Sequence, residues 1–235
     1  MSTAQVERVE LDQLTCWRIR AAGSELLVAQ QGAQILSYQQ GEQPPLIWLS
    51  PDAVYQRGQS VRGGVPVCWP WFGDLRHNPP AVQAHYHQEQ APAHGLVRTL
   101  DWELLGIDEE DQSVTLRFAY DTRNQPLEGW PRDASLTFVV RLANDLSMSL
   151  ETHNRGDTPL TLSQALHSYF AVSDVRQVSV EGLQACRYLD TLQDWQELRQ
   201  QSELGFSAET DRIYLDTPAR LSIIDPGWGR RIHLD

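Results

Sequence analysis

Alternation of apolar and polar residues with a period of two is the feature that most constrains how this chain can fold. In Ser113–Tyr120 every second residue is large and apolar, and Ser135–Ala143 and Leu146–Thr152 repeat the pattern. This alternation is typical of strands that bury one face. The Asn144-Asp145 pair between the last two runs predicts a hairpin turn.

Further strands are predicted where short apolar runs end at Gly, Pro, Asn or Asp. Their ranges are Ser24–Gln30, Gln34–Gln39, Leu46–Leu49, Leu100–Ile107, Leu160–Phe170, Val175–Glu181 and Arg220–Ile224. The best helical stretch is Leu192–Leu204. Many short strands with little helix favour an all-β antiparallel sandwich or barrel. No repeat or linker divides the chain, so residues 1–235 are expected to form a single domain.

The charge of the chain restricts its partners. With 19 Lys+Arg against 31 Asp+Glu, the formal net charge is -12. Such a surface repels phosphate backbones, so no nucleic-acid partner is expected, and an anionic small ligand would need a few arginines focused in one pocket. The sequence shows neither a secretory signal nor a membrane span. Its three cysteines, Cys16, Cys68 and Cys186, fit neither a metal or redox pair nor a disulfide framework. We therefore expect a cytoplasmic protein.

The segment Val61–Gly73, with the sequence VRGGVPVCWPWFG, fits neither a regular strand nor a helix. Its glycines, prolines and aromatic residues predict a rigid, buried loop where the backbone approaches another group closely. The segment could be only a plug for the core, anchored by Trp69, Trp71 and Phe72. Arg62 favours a function, because its guanidinium beside two glycines could reach a cavity.

Two further segments combine a histidine with groups suited to a polar ligand. His94 and Arg98 lie four residues apart, and a guanidinium is the usual group for bidentate phosphate recognition. A solvated loop would explain the same pair. In the predicted strand Leu160–Phe170, one face carries small polar residues leading to His167, which is typical of a cavity lining. A buried histidine bonded to a carbonyl is the alternative.

The remaining candidates are weaker. Asp211 and Asp216 could each accept a hydrogen bond from a sugar hydroxyl or cap a turn. The His-x-His spacing of His85 and His87, with His77 upstream, could ligate a metal, but nothing nearby completes a ligand set, so a solvated loop is favoured.

Taken together, Val61–Gly73, Ala93–Arg98, Leu166–Phe170 and Asp211–Tyr214 resemble the glucose-6-phosphate 1-epimerases (D-hexose-6-phosphate mutarotases) of the galactose-mutarotase-like superfamily. The segments occur in the same order over nearly the whole chain, and the string from Arg62 to Gly73 is the most specific. The resemblance implies an antiparallel β-supersandwich and a cofactor-free, metal-free cytoplasmic isomerase. Its substrate would be a hexose 6-phosphate, and no obligate protein partner is implied.

Residue roles follow from the same resemblance. His167 matches the family's catalytic histidine, and Arg62 and Arg98 match its substrate-binding arginines. Asp211 matches an acceptor for a sugar hydroxyl, and His94 matches a histidine of the substrate pocket.

The chain departs from the family in two places. Ala93 stands where many relatives have a glutamine that contacts substrate. The family's catalytic glutamate lies on a C-terminal strand for which this chain, which stops at Asp235, has no counterpart. The resemblance therefore predicts a sandwich incomplete at its C-terminus, with anomer exchange lowered by about 10²–10⁴-fold and open strand edges that favour aggregation or dimerisation.

Two other functions remain open from the residues. One is a non-catalytic sugar-phosphate-binding protein of the same fold. The other is a glycoside-active or lectin-like sandwich, although a glycosidase requires two carboxylates at a defined separation and the sequence offers no convincing pair.

Overall fold

The structure is a computed structural model that describes residues 4–235. Its backbone contacts divide the chain into two compact units, the first ending at Phe170 and the second comprising Ala171–Asp235. No helix in the described part of the chain is long and apolar enough to cross a membrane. The single domain over residues 1–235 stays a prediction, and the units are described separately.

The first unit contains two four-stranded antiparallel meanders, in which each strand pairs with the next one along the chain. The strands of the first meander are β1 (Gln5–Leu11), β2 (Leu14–Ala21), β3 (Ser24–Ala29) and β4 (Ile35–Gln40). Between the meanders lie the short strand β5 (Val67–Cys68), a 3-10 turn (Leu75–His77) and the one-turn helix α1 (Pro80–Gln83). The strands of the second meander are β6 (Glu103–Glu110), β7 (Ser113–Asp121), β8 (Ala134–Leu142) and β9 (Leu146–Asn154).

The core of this unit lies between the inner faces of the two meanders, where β2 contacts β7 and β8. Period-two alternation places the apolar residues of each strand on this inner face. Val114, Leu116, Phe118, Leu136, Phe138 and Val140 are 0% exposed and join one cluster with Ile19, Leu26 and Val28 of the first sheet. Each such side chain contributes about 1.5–3 kcal/mol by leaving water, so burial between the sheets dominates the stability of this unit.

The strands predicted from alternation are confirmed. Ser113–Tyr120 corresponds to β7, and the hairpin of β8 and β9 turns at Asn144-Asp145. Ser24–Gln30 and Gln34–Gln39 correspond to β3 and β4 within one residue, and β6 lies about three residues beyond the predicted Leu100–Ile107. The segment Leu46–Leu49 forms only isolated bridges.

The predicted strand Leu160–Phe170 is wrong as a continuous strand, because only β10 (Ala165–Leu166) is regular. The segment is nevertheless extended along the loop Val61–Gly73: Ser163 N donates to Pro70 O, and His167 N donates to Pro66 O. Proline has no N–H to donate in return. The two prolines therefore remove half of the ladder and leave β10 paired with β5 alone.

The second unit is also built of short antiparallel strands. They are β11 (Ser179–Glu181), β12 (Arg187–Asp190), β13 (Gln196–Arg199), β14 (Leu204–Gly205), β15 (Arg212–Leu215), β16 (Leu221–Asp225) and β17 (Arg230–Leu234). They form one sheet in the order β14-β11-β16-β17 and another in the order β13-β12-β15. The predicted strand Arg220–Ile224 matches β16, whereas Val175–Glu181 contains a 3-10 turn (Val175–Gln177) before β11.

The helix predicted at Leu192–Leu204 is wrong. The chain instead makes a 3-10 turn at Thr191–Gln193 and continues into β13. The carboxylate of Asp190 accepts from Leu192 N at 3.2 Å and closes this turn. Asp194 and Trp195 then adopt φ of 53° and 61°, and two successive left-handed residues end a right-handed turn.

Candidate active site

The loop Val61–Gly73 is buried, as its composition predicts, and its backbone lies against other backbone. A Cβ on Gly64, whose φ is 73°, would lie 2.2 Å from Ile35 O, so only glycine fits there. Gly64 N donates to Trp48 O at 2.7 Å, and Gly64 O accepts from Tyr169 N at 2.9 Å. The loop is thereby joined to the segment that carries His167.

Four aromatic rings meet where these segments join, and we call Phe72, His94, His167 and Tyr169 the ring cluster. The ring centroid of His167 lies 5.4 Å from that of His94, 5.7 Å from that of Phe72 and 4.7 Å from that of Tyr169. Phe72 also contacts His94, at 5.0 Å. All four side chains are half-buried, so the structure brings together two histidines that the sequence had singled out separately.

Backbone contacts fix His94 from both sides. Its own φ is 66°, which is uncommon for a residue with a side chain. The next residue, Gly95, lies against Trp69, where a Cβ would come within 2.0 Å of the Trp69 carbonyl oxygen. Gly73 then makes two hydrogen bonds to His94: Gly73 O accepts from His94 N at 2.8 Å, and Gly73 N donates to the ring nitrogen Nδ1 at 3.2 Å.

The surroundings of His94 disfavour its charged form. Burial lowers the pKa of His94, and the charges of Arg98 and His167 lower it further. Both effects act against the imidazolium, because burial removes water and a neighbouring cation repels a second positive charge. His94 is therefore a neutral side chain at pH 7.

His167 has no comparable support from the backbone. Its peptide N–H donates to Pro66 O at 3.0 Å, but its ring nitrogen Nδ1 is buried and has no hydrogen-bond partner in the described structure. The ring is held by aromatic neighbours, with Tyr169 packed in turn against Trp48 at 5.9 Å.

A hydrogen-bond network lies behind Phe72. Phe72 N donates to the Ser163 hydroxyl at 3.0 Å, and that hydroxyl donates to the Asn78 side chain. The Asn78 amide then donates back to Phe72 O at 2.9 Å. This closed network ties the loop to the segment before His167 and fixes the ring that touches both histidines.

The two candidate arginines carry no carboxylate partner within residues 4–170. Arg98 donates to Ala93 O at 2.8 Å, and its charge acts on both His94 and Cys68. Burial nevertheless raises the pKa of Cys68 to about 11, so this thiol stays neutral. The side chain of Arg62 is exposed and has no hydrogen bond or ion pair in the described structure, and its peptide lies two residues from Gly64.

Asp211 belongs to the second unit, where it directly precedes β15. Its carbonyl oxygen accepts from the Thr191 N–H and from the Thr191 hydroxyl, both at 3.1 Å, which fixes its backbone. The following Arg212 lies over the Tyr188 ring at 4.5 Å and pairs with the buried Asp190. The Asp211 side chain itself is exposed.

Sequence reasoning assigned no catalytic or binding role to Phe72 or Tyr169. The alternation of the predicted strand does place Tyr169 on the same cavity-lining face as His167. Phe72 was placed among the packing anchors, and nothing local to it predicts contact with two histidines. Surface depressions of about 370 and 850 Å³ lie elsewhere and include no residue of the ring cluster.

No group of three or more His, Cys, Asp or Glu side chains is arranged to hold a metal ion in residues 4–235. Of the histidines upstream, His85 accepts from Thr161 N at 3.2 Å, which gives its ring a structural role.

Comparison of the fold with solved structures defines the class of protein. A solved structure of a galactose mutarotase-like protein from Clostridium acetobutylicum superposes with a TM-score of 0.70 at 13% identity, covering 98% of this chain and 80% of that one. At that identity the likeness shows the fold alone, which is the galactose mutarotase-like β-supersandwich. A protein from Salmonella typhimurium, provisionally identified as a mutarotase (YeaD), gives a TM-score of 0.83 at 32% identity, covering 97% of this chain and 72% of that one.

The sequence comparisons narrow the class to one family. The model of the aldose 1-epimerase family matches residues 15–235. A protein of Escherichia coli strain K12 with the provisional name glucose-6-phosphate 1-epimerase is 34% identical over 94% of this chain, which spans 69% of that relative's length. The chain belongs to the aldose 1-epimerase family, a family of isomerases.

Proposed function

We propose that this protein interconverts the α and β anomers of D-hexose 6-phosphates in the cytoplasm. The observation that carries the proposal is the position of Arg98, which has no carboxylate partner within residues 4–170 and whose charge acts on His94 of the ring cluster. An acidic protein with a net charge of -12 attracts an anion only through local cations. The name of the Escherichia coli relative, glucose-6-phosphate 1-epimerase, supports the same substrate.

Anomer exchange consists of proton transfers. A base removes the proton of the C1 hydroxyl while an acid protonates the ring oxygen, and the sugar ring opens to an aldehyde. Rotation about the C1–C2 bond and closure on the other face give the second anomer. Each correctly placed proton transfer is worth about 10²–10⁴-fold in rate.

We assign the acid to His167, because its ring is half-buried, its Nδ1 has no hydrogen-bond partner in the described structure, and histidine is the side chain most often used for proton transfer near neutral pH. Arg62 and Arg98 would bind the phosphate, which would hold C1 next to His167. Asp211 would accept a hydrogen bond from a sugar hydroxyl. No carboxylate of residues 4–170 hydrogen-bonds to the ring cluster, so the base is the one role left without a residue.

The test compares ligands that differ only in the phosphate. Isothermal titration with glucose 6-phosphate and with glucose should show binding that depends on the phosphate. Freshly dissolved α-glucose 6-phosphate, followed by polarimetry, should reach its equilibrium rotation faster with the protein than without it, and faster than with His167→Ala.

Equal affinity for glucose and glucose 6-phosphate would overturn the phosphate assignment. Phosphate-dependent binding with no acceleration of anomer exchange would favour the non-catalytic sugar-phosphate-binding protein instead.

A further inference from the structure

We propose that the backbone amide of Gly73 fixes His94 as the neutral tautomer that carries its proton on Nε2, so that His94 acts on a ligand only as a hydrogen-bond donor. The part about the ligand rests on the proposed function, whereas the tautomer is a property of the free protein. Gly73 is then a positioning residue that determines what a neighbouring side chain can do.

The hydrogen bond itself selects the tautomer. A peptide N–H can only donate, and Gly73 N points at His94 Nδ1 at 3.2 Å. Nδ1 must therefore offer its lone pair, and a neutral imidazole with a free lone pair on one nitrogen carries its hydrogen on the other. The reciprocal bond from His94 N to Gly73 O, at 2.8 Å, holds the two backbones together, and Phe72 and His167 pack against the ring at 5.0 and 5.4 Å.

Protonation of the ring would break this arrangement. An imidazolium would place an Nδ1–H against the Gly73 N–H, with two donors facing each other. It would also add a charge beside Arg98, with His167 on the other side. The lowered pKa of His94, caused first by burial and then by these two groups, agrees with the geometry.

His167 differs from His94 in the hydrogen bonding of its Nδ1 atom. Nδ1 of His167 has no partner in the described structure, so no peptide group dictates which nitrogen holds its proton. Two histidines whose rings lie 5.4 Å apart would otherwise be interchangeable as proton donors. The Gly73 amide separates them: His94 offers a permanent Nε2–H to a ligand oxygen, whereas Nδ1 of His167 has no such backbone partner in the described structure.

The tautomer is tested on the free protein. A two-bond ¹H–¹⁵N correlation spectrum of the ¹⁵N-labelled chain, with the His94 signals assigned as those missing from His94→Asn, distinguishes the two neutral forms and the cation. We expect the pattern of the Nε2–H tautomer, unchanged between pH 8 and pH 7. An Nδ1–H pattern, an average of the two tautomers, or a protonated ring at pH 7 would overturn the proposal.

The role toward a ligand is tested with two amides that each keep one half of the imidazole. In His94→Asn the side-chain oxygen can accept from Gly73 N, but no donor reaches the position of Nε2. In His94→Gln the amide N–H reaches that position instead. We expect His94→Asn to bind glucose 6-phosphate about 5- to 100-fold more weakly than the parent protein, which is the usual cost of leaving a polar partner unpaired, and His94→Gln to recover part of this loss.

Unchanged binding by a folded His94→Asn would overturn the donor role. Failure of the parent protein to bind glucose 6-phosphate would overturn the proposed function, while the spectrum of the free protein would still decide the tautomer. Near-ultraviolet circular dichroism of both variants identifies a folding defect, and the spectrum of the parent chain does not depend on either variant.

Discussion

At the scale of single residues, the site separates groups whose chemistry is fixed from groups that are free to change. His94 is bonded to Gly73 through both its backbone and its ring, and Cys68 is a buried, neutral thiol. His167 has an unpaired ring nitrogen, and Arg62 has no partner in the described structure. The unpaired groups are those to which the proposed reaction assigns a proton transfer or an anion.

Replacing His167 by alanine should damage turnover more than folding. His167 is half-buried and packs against the rings of Phe72, His94 and Tyr169, whereas its neighbour Leu166 packs against the main core. We expect anomer exchange to fall by about 10²–10⁴-fold, with a smaller drop in melting temperature than Leu166→Ala causes. A drop as large as that of Leu166→Ala would identify His167 as a core residue.

Replacing Arg98 by alanine should weaken the binding of glucose 6-phosphate and leave the binding of glucose unchanged. A charge-assisted hydrogen bond that is no longer made costs about 1.5–3 kcal/mol. Arg141→Ala is the matched control, since Arg141 is an exposed arginine of β8 without a hydrogen bond or ion pair in the described structure. Equal losses from both variants, measured by isothermal titration, would show a nonspecific effect of charge.

At the scale of elements, close contacts between backbones place the loop and both histidines. Gly95 rests on Trp69, and Gly64 rests on Ile35, at distances that exclude a side chain. The segment around His167 follows the loop through single hydrogen bonds to Pro66 and Pro70. The site is thus shaped by residues that have no side-chain chemistry of their own.

Gly95→Ala should destabilise the protein more than Gly41→Ala. Both glycines have positive φ, 77° and 54°, so both variants incur the cost of a left-handed residue, about 1–2 kcal/mol. Only at Gly95 does the new Cβ meet backbone, at 2.0 Å from Trp69 O, while Gly41 faces open space. Overpacking should add about 1–3 kcal/mol, measured as the difference between the two urea unfolding free energies. Equal decreases in the free energy of unfolding would show that the backbone around Gly95 can move to accommodate the new Cβ.

The elements also show where sequence reasoning succeeds and where it fails. The alternation of apolar and polar residues predicted β7, β8 and β9, because each of these strands buries one face. It missed the interruption at Leu160–Phe170 because the prolines responsible lie in the partner segment, Val61–Gly73. The helix at Leu192–Leu204 failed because the left-handed residue Trp195 has no distinctive signature in the sequence.

For the site, His94, Arg98 and His167 were all identifiable as residue types suited to the chemistry. Their proximity was not, since no local pattern reports that residues from two distant segments share one cluster. The role of Gly73 was likewise inaccessible, because a backbone amide carries no side-chain signal.

At the scale of the whole molecule, the stability of the chain should fall in two stages as the pH is lowered. The pKa values of His85 and His94 are lowered, in both cases first by burial, so the unfolded chain binds these protons more readily than the folded one. Their contribution is complete above the ordinary histidine pKa of 6.5 and is lost as the pH falls through the folded values. The urea midpoint should decrease from pH 8 to pH 6 and again to pH 5. The decrease should be smaller in His94→Asn, which lacks one of the two histidines. A midpoint that stays constant would contradict the lowered pKa values of His85 and His94.

The second stage comes from carboxylates. Asp225 is 0% exposed; burial raises its pKa, but hydrogen bonds from Ser173 and Trp228 and the charge of Arg230 outweigh that effect, so its pKa is lowered overall. This stabilisation is present above the ordinary pKa of 3.8 and is lost as the pH falls through the folded value. We expect the urea midpoint of the parent chain to be lower below pH 4 than at pH 7. This drop should be smaller in Asp225→Asn than in the parent chain.

The pairing of β5 with β10 has a consequence for the order in which the protein folds. Each meander is made by strands that are neighbours along the chain, so its loops close at little entropic cost and it can form early. The β5–β10 pair joins residues 67–68 to residues 165–166, across the whole of the second meander. The ring cluster is thus completed only when this long loop closes, and newly made molecules should acquire their sheets before they acquire any affinity for a sugar phosphate.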